Sequence, residues 1–234
     1  MTEQFHVSPG NAGADPRLEE IATLGPSPPT EPTNADLNPD DPRLSDPRID
    51  PELVMNGDTR NVVDKYRLWS VEAIKADLDQ SRAALHIAIE NLEHDLNIGS
   101  IVRTGNAFNV GGVHIVGRRR WNRRGAMVTD RYLDIIHQPQ PKDLATWARE
   151  NDYAIIGIDN VPGCTDLEAS PLPERSVLVF GQESKGISPE LLAKCTLVRQ
   201  IPMYGSTRSM NVAAAAAIAM HSWSVTHQYG KRSN

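Results

Sequence analysis

Three segments of this 234-residue chain bring small, hydroxyl-bearing and charged residues together: "NIGSIVRTG" at 97–105, "VFGQESKGIS" at 179–188 and "IPMYGSTRSMNVAAA" at 201–215. Turns of this kind ahead of helices suit anionic or polar ligands, because free backbone N–H groups and the helix dipole face them. A nucleotide phosphate is therefore the first candidate. The spacing argues against it, since "FGQESKG" is neither G-x-x-x-x-G-K-[ST] nor G-x-G-x-x-G and Lys185 is out of the Walker order. Within these segments Asn97, Ser209 and Asn211 carry short polar side chains suited to capping helices, Asn97 for the helix that carries Arg103. Glu183 is placed to bind backbone amides of the "QESKG" turn or to pair with Arg103.

A fourth stretch, "GRRRWNRRG" at 117–125, places Arg118, Arg119, Arg120, Arg123 and Arg124 around Trp121. Guanidinium groups for phosphates and an indole for stacking on a base make it the candidate RNA contact. The seven histidines form no metal constellation. His86 and His114 lie in strand patterns and read as buried residues, while His94 beside Asp95 is a candidate proton acceptor. Cys164 and Cys195 lack C-x-x-C spacing, which excludes a disulfide scaffold or zinc site as the working expectation.

The elements that must position these groups follow from periodicity. "LHIAIEN" (85–91), "GVHIVG" (112–117), "YAIIGID" (153–159), "SVLVFG" (176–181) and "TLVRQIP" (196–202) read as strands, several of them apolar on both faces. Helical patterns lie at 98–109, 142–150, 188–195 and 211–227, and an earlier helix begins at Ser70 with Val71, Ile74 and Leu78 at helical spacing. Strands alternating with helices predict an α/β domain with a mainly parallel sheet and helices on both faces. In such a sheet ligands gather beyond the carboxyl ends of the strands, which is where the three polar segments fall.

Composition divides the chain. Residues 1–60 hold twelve acids and four bases, whereas the remainder holds 18 acids and 20 bases, so the net charge of −6 belongs to the amino-terminal part. Ten of the 17 prolines lie in residues 1–51, a stretch too poor in apolar residues to offset its ordering entropy. The expected organisation is an extended or disordered Pro/Asp-rich arm over 1–50, a helical lead-in over 51–84 and the α/β domain over 85–230. No window approaches the roughly 18 apolar residues of a membrane span, and the start lacks a signal-peptide pattern, so a cytoplasmic protein without membrane association is expected.

Taken in order, the three polar segments resemble the three motifs of the SpoU, or TrmH-like, branch of the SPOUT superfamily, the RNA ribose 2′-O-methyltransferases. The resemblance covers about 85–227. It departs from the family pattern at Gly105, where alanine is common, and at Met210, where leucine is usual; neither change removes a polar group. The resemblance implies a carboxyl-terminal trefoil knot, for which the small side chains of "VAAAAAIAM" would suit the threaded helix. It implies S-adenosylmethionine as cofactor, with no metal, held by Gly181, Ile201 and Met210, with Phe180 and Met203 as further candidates that could equally be core. It implies a catalytic set of Arg103, Asn97, Glu183, Ser209 and Asn211, a tRNA or rRNA substrate, and a homodimer. A guanidinium keeps its charge in proteins, so Arg103 fits a role in binding phosphate and steadying a forming alkoxide better than one as a base. Two other functions remain open at this stage: an RNA-binding protein of this fold without turnover, and a base methyltransferase.

Overall fold

A computed structural model describes residues 42–90, 95–182 and 185–229. The chain divides into two compact units, Met1–Ser70 and Val71–Asn234. In the first, helix α1 (Pro51–Asn56) opens with a proline whose missing N–H costs nothing there, and Asp50 caps it by accepting from the Glu52 N–H at 2.9 Å. Asp58 is fully buried and ties the segment together. Burial alone would raise its pKa. Arg60 at 2.8 and 2.7 Å, with the N–H groups of Leu68 (2.9 Å) and Arg60 (3.0 Å), outweighs that and holds the carboxyl at about 2. The Arg48 guanidinium lies 4.2 Å from the centre of the Trp69 ring. Most of the expected arm, residues 1–41, lies outside the described residues. Its last part is not extended throughout: Pro42–Ser45 form a 3-10 turn, and Ile49 bridges to Trp69.

The second unit is built on a seven-stranded sheet: β1 (Ala83–Glu90), β2 (Val110–Val116), β3 (Ile135–Gln138), β4 (Ala154–Ile158), β5 (Thr165–Asp166), β6 (Ser176–Phe180) and β7 (Leu197–Gln200). The order is β3-β2-β1-β6-β4-β7-β5, and every pairing is parallel. Helices α2 (Val71–Asp79), α3 (Asp95–Ala107), α4 (Pro141–Glu150), α5 (Pro189–Leu192) and α6 (Val212–His227) accompany it. The central strands are β-branched and apolar on both sides because both sides are covered. Leu85, Ile87, Ile89, Leu178 and Phe180 pack with Ile98, Ile101 and Val102 of α3 and with Val212, Ala216, Ala219, Met220 and Trp223 of α6. The alternate residues Ala88, Val177 and Val179 pack with Leu144 and Ala148 of α4 and Leu191 of α5. Each such aliphatic side chain, once fully buried, contributes about 1.5–3 kcal/mol. The alanines of α6 thus have a packing role, since Ala216 and Ala219 are fully buried against the same cluster as α3.

On the α4 face, His86 of β1 and His114 of β2 stand side by side, Nδ1 to Nε2 at 3.1 Å. The Gln138 amide meets His114 Nδ1 at 3.1 Å. With that amide donating, His114 carries its proton on Nε2 and gives it to His86 Nδ1. Trp147 packs on both rings, at 4.6 and 4.3 Å. A side chain at Gly111 would collide with His86, its Cβ falling 2.5 Å from Nε2. Burial lowers the pKa of His86 to about 4, with Arg175 adding to the effect and Asp134 opposing it; burial and His86 lower that of His114 to about 3. Both therefore fold neutral, as expected of buried strand histidines. The unfolded chain takes up these protons below about 6.5, so the stability they contribute is complete above that pH and is lost as pH falls towards 4. We expect the melting temperature to drop between pH 7 and pH 5, for a loss on the order of 2–4 kcal/mol. A melting temperature that is flat over this range in scanning calorimetry would contradict the pairing.

Candidate cofactor and RNA site

Strands β4, β6 and β7 end at a cavity of about 670 Å³, whose wall is completed by the start of α6. The chain leaving β6 makes a closed hairpin: the Gln182 N–H donates to the Gly186 carbonyl at 2.9 Å, and the Gly186 N–H donates back at 2.7 Å. Gly181 is required by this closure, because a Cβ there would lie 2.1 Å from the Gly186 carbonyl carbon and 2.2 Å from the Ile187 nitrogen. Gly186 itself has φ +66°, and a Cβ on it would meet Asp159 Oδ2 at 2.4 Å.

Asp159, just past β4, holds the neighbouring loops in place. Its Oδ2 accepts from the Ile187 N–H at 2.7 Å and its Oδ1 from the Asn160 N–H at 2.8 Å. The Asn160 amide in turn donates to the Arg208 carbonyl at 2.6 Å. At the end of β1, Glu90 accepts from the Ser188 N–H (2.7 Å) and hydroxyl (2.5 Å), and that hydroxyl caps α5 through the Leu191 N–H. Asp159, Asn160 and Glu90 do not stand out in the sequence. The available signal was their position: polar residues directly after apolar strands, at the carboxyl edge where ligands gather.

Of the cofactor candidates, Phe180, Gly181, Ile201, Met203 and Met210 all line the cavity, as does Ser209 from the catalytic set. Phe180 is also core, being almost wholly buried. Glu183 lies outside the described residues. Asn211 caps α6, its Oδ1 accepting from the N–H groups of Ala213 (2.9 Å) and Ala214 (3.3 Å). Its amide donates to Asn97 Oδ1 at 3.0 Å, which joins the first motif to the third. Asn97 is the third residue of α3, so it does not cap that helix from outside. Arg103 is exposed on α3 and is not among the residues lining the cavity.

The basic segment sits on that same helix. Residues Arg123–Ala126 form a 3-10 turn capped by the Asn122 side chain, which accepts from the Arg124 N–H at 2.9 Å. The turn lies so close to α3 that a Cβ on Gly99 would be 2.6 Å from the Ala126 nitrogen. Gly99 and Arg103 are four residues apart, on one face of the helix. Arg118, Arg119, Arg120, Arg123 and Arg124 are exposed. Trp121 is half-buried against the core, with the Arg123 guanidinium 5.8 Å from its ring centre. The indole anchors the segment and leaves the arginines outward.

Among the described residues no group of three or more His, Cys, Asp or Glu could hold a metal ion, and no helix is long and apolar enough to cross a membrane. Burial pushes the Cys195 thiol up to about 11, which removes it as a nucleophile at neutral pH.

The chain is 26% identical over 141 residues to a tRNA (guanosine(18)-2′-O)-methyltransferase of Borreliella burgdorferi, covering 59% of this chain and 65% of that protein. It is 33% identical over 147 residues to an uncharacterized tRNA/rRNA methyltransferase of Mycobacterium avium, covering 60% and 47%. The chain thus spans less than two thirds of the length of these curated relatives. The fold is shared with the SpoU methyltransferase AviRb from Streptomyces viridochromogenes, at a TM-score of 0.59 and 23% identity over 66% of this chain and 64% of that one. A family model also matches residues 84–221, more than half of the sequence, and on that ground the chain belongs to the SpoU rRNA Methylase family.

Proposed function

We propose that this chain transfers a methyl group from S-adenosylmethionine to a ribose 2′-hydroxyl of tRNA or rRNA. The observation that carries the reading is the joining of the cavity to the helix of Arg103 through the 3.0 Å contact between Asn211 and Asn97. It puts a small-molecule site and an exposed guanidinium on one rigid support. The names of the B. burgdorferi and M. avium relatives support the same chemistry.

The residues present fit the cofactor. A cavity of about 670 Å³ is within the usual range for small-molecule sites. Ile201 and Met210 offer partly exposed apolar surface to a flat heteroaromatic ring, and Gly181 lines the same cavity. Gln182 lines the cavity too, and its buried Oε1 has no hydrogen-bond partner among the described residues. When bound, S-adenosylmethionine supplies an electrophilic methyl group on a sulfonium sulfur.

The chain's own work is then to orient and to stabilise charge. The hairpin at Gly181 and the turn at Ser209 hold the donor's place, while Asn97 and Asn211 fix α3 relative to it. Arg103 grips the phosphate beside the target and stabilises the 2′-oxygen as its proton leaves to phosphate or water. Glu183 belongs to this set by its motif position. Arg118, Arg119, Arg120, Arg123 and Arg124 collect the RNA backbone. The reading also takes in the family's trefoil knot, a cytoplasmic setting and a homodimer. In support of the dimer, Ile218 and Val225, seven residues apart on the outer face of α6, and Tyr229 just beyond it are exposed apolar side chains.

Isothermal titration with S-adenosylmethionine and S-adenosylhomocysteine should give heat of binding. Nuclease digestion of treated RNA followed by mass spectrometry should then place the methyl on ribose. Methyl on a base, or binding of RNA without transfer, would replace the proposal with one of the two other readings. Reversing Arg119 and Arg120 to Glu should weaken RNA binding and flatten its dependence on log salt by about 0.7–0.9 for each phosphate that the variant no longer neutralises; an unchanged slope would remove these arginines from the interface.

A further inference from the structure

We propose that Met127 and Val128 form an apolar wedge that enters the base stack of the RNA beside the nucleotide being methylated. The inference rests on the function proposed above, and it concerns how the substrate strand is opened rather than how the methyl is moved.

The backbone here is unusual. Met127 has φ 47° and Val128 has φ 69°, two consecutive non-glycine residues in the left-handed region. For a β-branched residue this is a strained conformation that glycine or asparagine would adopt with less cost. The strain does not serve to bury either side chain: Met127 is 64% and Val128 is 51% exposed. Strain held in place to present apolar groups to solvent points to a contact made by those groups.

The tip has a rigid base. The Met127 N–H donates to the Arg124 carbonyl at 3.1 Å, the Arg131 N–H to the Val128 carbonyl at 3.3 Å, and the Thr129 hydroxyl to the Ala126 carbonyl at 2.7 Å. Ala126 beneath it is fully buried, and the turn that carries it presses on α3 at Gly99, one helical turn before Arg103. The protrusion is therefore aimed by the same helix that carries the proposed catalytic guanidinium.

Its surroundings select the occupant. Arg123 and Arg124 precede the tip, Arg131 follows it, and Arg118, Arg119 and Arg120 lie on the same segment, all exposed. Apolar side chains flanked along the chain by exposed guanidinium groups complement a polyanion that also has apolar faces, which describes a nucleic acid strand. Apolar residues inserted between base steps unstack them while arginines hold the flanking phosphates. A ribose in a continuous stack is constrained by its neighbours. Breaking one stacking step lets its 2′-oxygen turn towards an in-line position behind the transferred methyl.

The test uses the full chain, RNA stem-loops carrying 2-aminopurine in the loop, and pooled unmodified tRNA. The double variant Met127→Asn, Val128→Asn removes the wedge and substitutes a residue that tolerates left-handed φ. It should melt at or above the temperature of the parent. The parent should raise 2-aminopurine fluorescence on binding; the variant should lose that rise and lower kcat/KM at least tenfold, with RNA affinity changed less than threefold because the phosphates are held by arginines. Retained fluorescence and a kcat/KM within twofold of the parent would overturn the wedge. So would an absence of any rise with the parent, or a variant whose principal change is its sedimentation as an oligomer, which would assign the tip to a contact between copies. A rise that the variant loses, with no methyl transfer or S-adenosylmethionine binding by either protein, would support the wedge and overturn the proposed catalysis alone.

Discussion

Replacing Arg103 with alanine lowers methyl transfer to RNA by about 10²- to 10³-fold and leaves S-adenosylmethionine affinity within about twofold of the parent. The two halves of this expectation come from separate observations. Arg103 does not line the cavity, so its removal takes no surface away from the cofactor. It is exposed on α3, and its side chain makes no hydrogen bond or ion pair among the described residues, so its truncation breaks no structural contact there. On the proposed function, what is lost is a positive charge beside the forming oxyanion, and such a group acts more on the transition state than on the ground state. The change should therefore appear mainly in kcat. Lysine at 103 restores the charge but not the planar fork, and we expect it to recover only part of the rate, about tenfold below the parent. Turnover of the alanine variant within a few fold of the parent in a filter assay with radiolabelled donor would assign Arg103 to the surface of α3 and nothing more.

The same residues show how far the sequence could be read. The long strands were legible because β1, β2, β4 and β6 run five to eight residues through a core covered on both faces, which makes them rich in Val, Ile and Leu. Strands β3 and β5 were not, since four residues, three of them half-buried, and two exposed ones carry too little period to separate from loop. Helix α1 lies within the helical lead-in expected over 51–84, but its six residues, with nothing buried, carry too little period to be placed individually. Two of the three motifs, the second and the third, meet at the cavity, whose wall holds five cofactor candidates and Ser209. Asp159 escaped because its importance is tertiary: it reaches the Ile187 N–H, 28 residues on in the chain. The pairing of Asn211 with Asn97 spans 114 residues, and no spacing rule contains it. The arginine neighbours of Trp121 suggest base stacking, but an indole also answers to the core below it. Only the packing decides which partner it serves.

Gly181→Ala should abolish cofactor binding and, with it, transfer. The argument is steric and local. Ala adds one methyl group at a point 2.1 Å from the Gly186 carbonyl carbon, 2.2 Å from its oxygen and 2.2 Å from the Ile187 nitrogen. All three are backbone atoms, so no side chain can swing aside. The hairpin must open, breaking the paired hydrogen bonds between Gln182 and Gly186 and pulling Ile187 from Asp159. Three hydrogen bonds at roughly 1 kcal/mol each, with the displacement of the buried Ile187, give a loss of about 3–5 kcal/mol. Because the hairpin is one wall of the cavity, the dissociation constant for S-adenosylmethionine should rise at least about 100-fold, the equivalent of about 2.7 kcal/mol. Gly205→Ala is the control within the third motif: a Cβ at Gly205 has open space around it, with no heavy atom within 4 Å. That variant should bind cofactor like the parent. Calorimetric titration of the two variants beside the parent separates the cases. If Gly181→Ala binds as tightly as Gly205→Ala, then the hairpin tolerates a shift of more than an ångström, and the cofactor is not held between β6 and its returning strand.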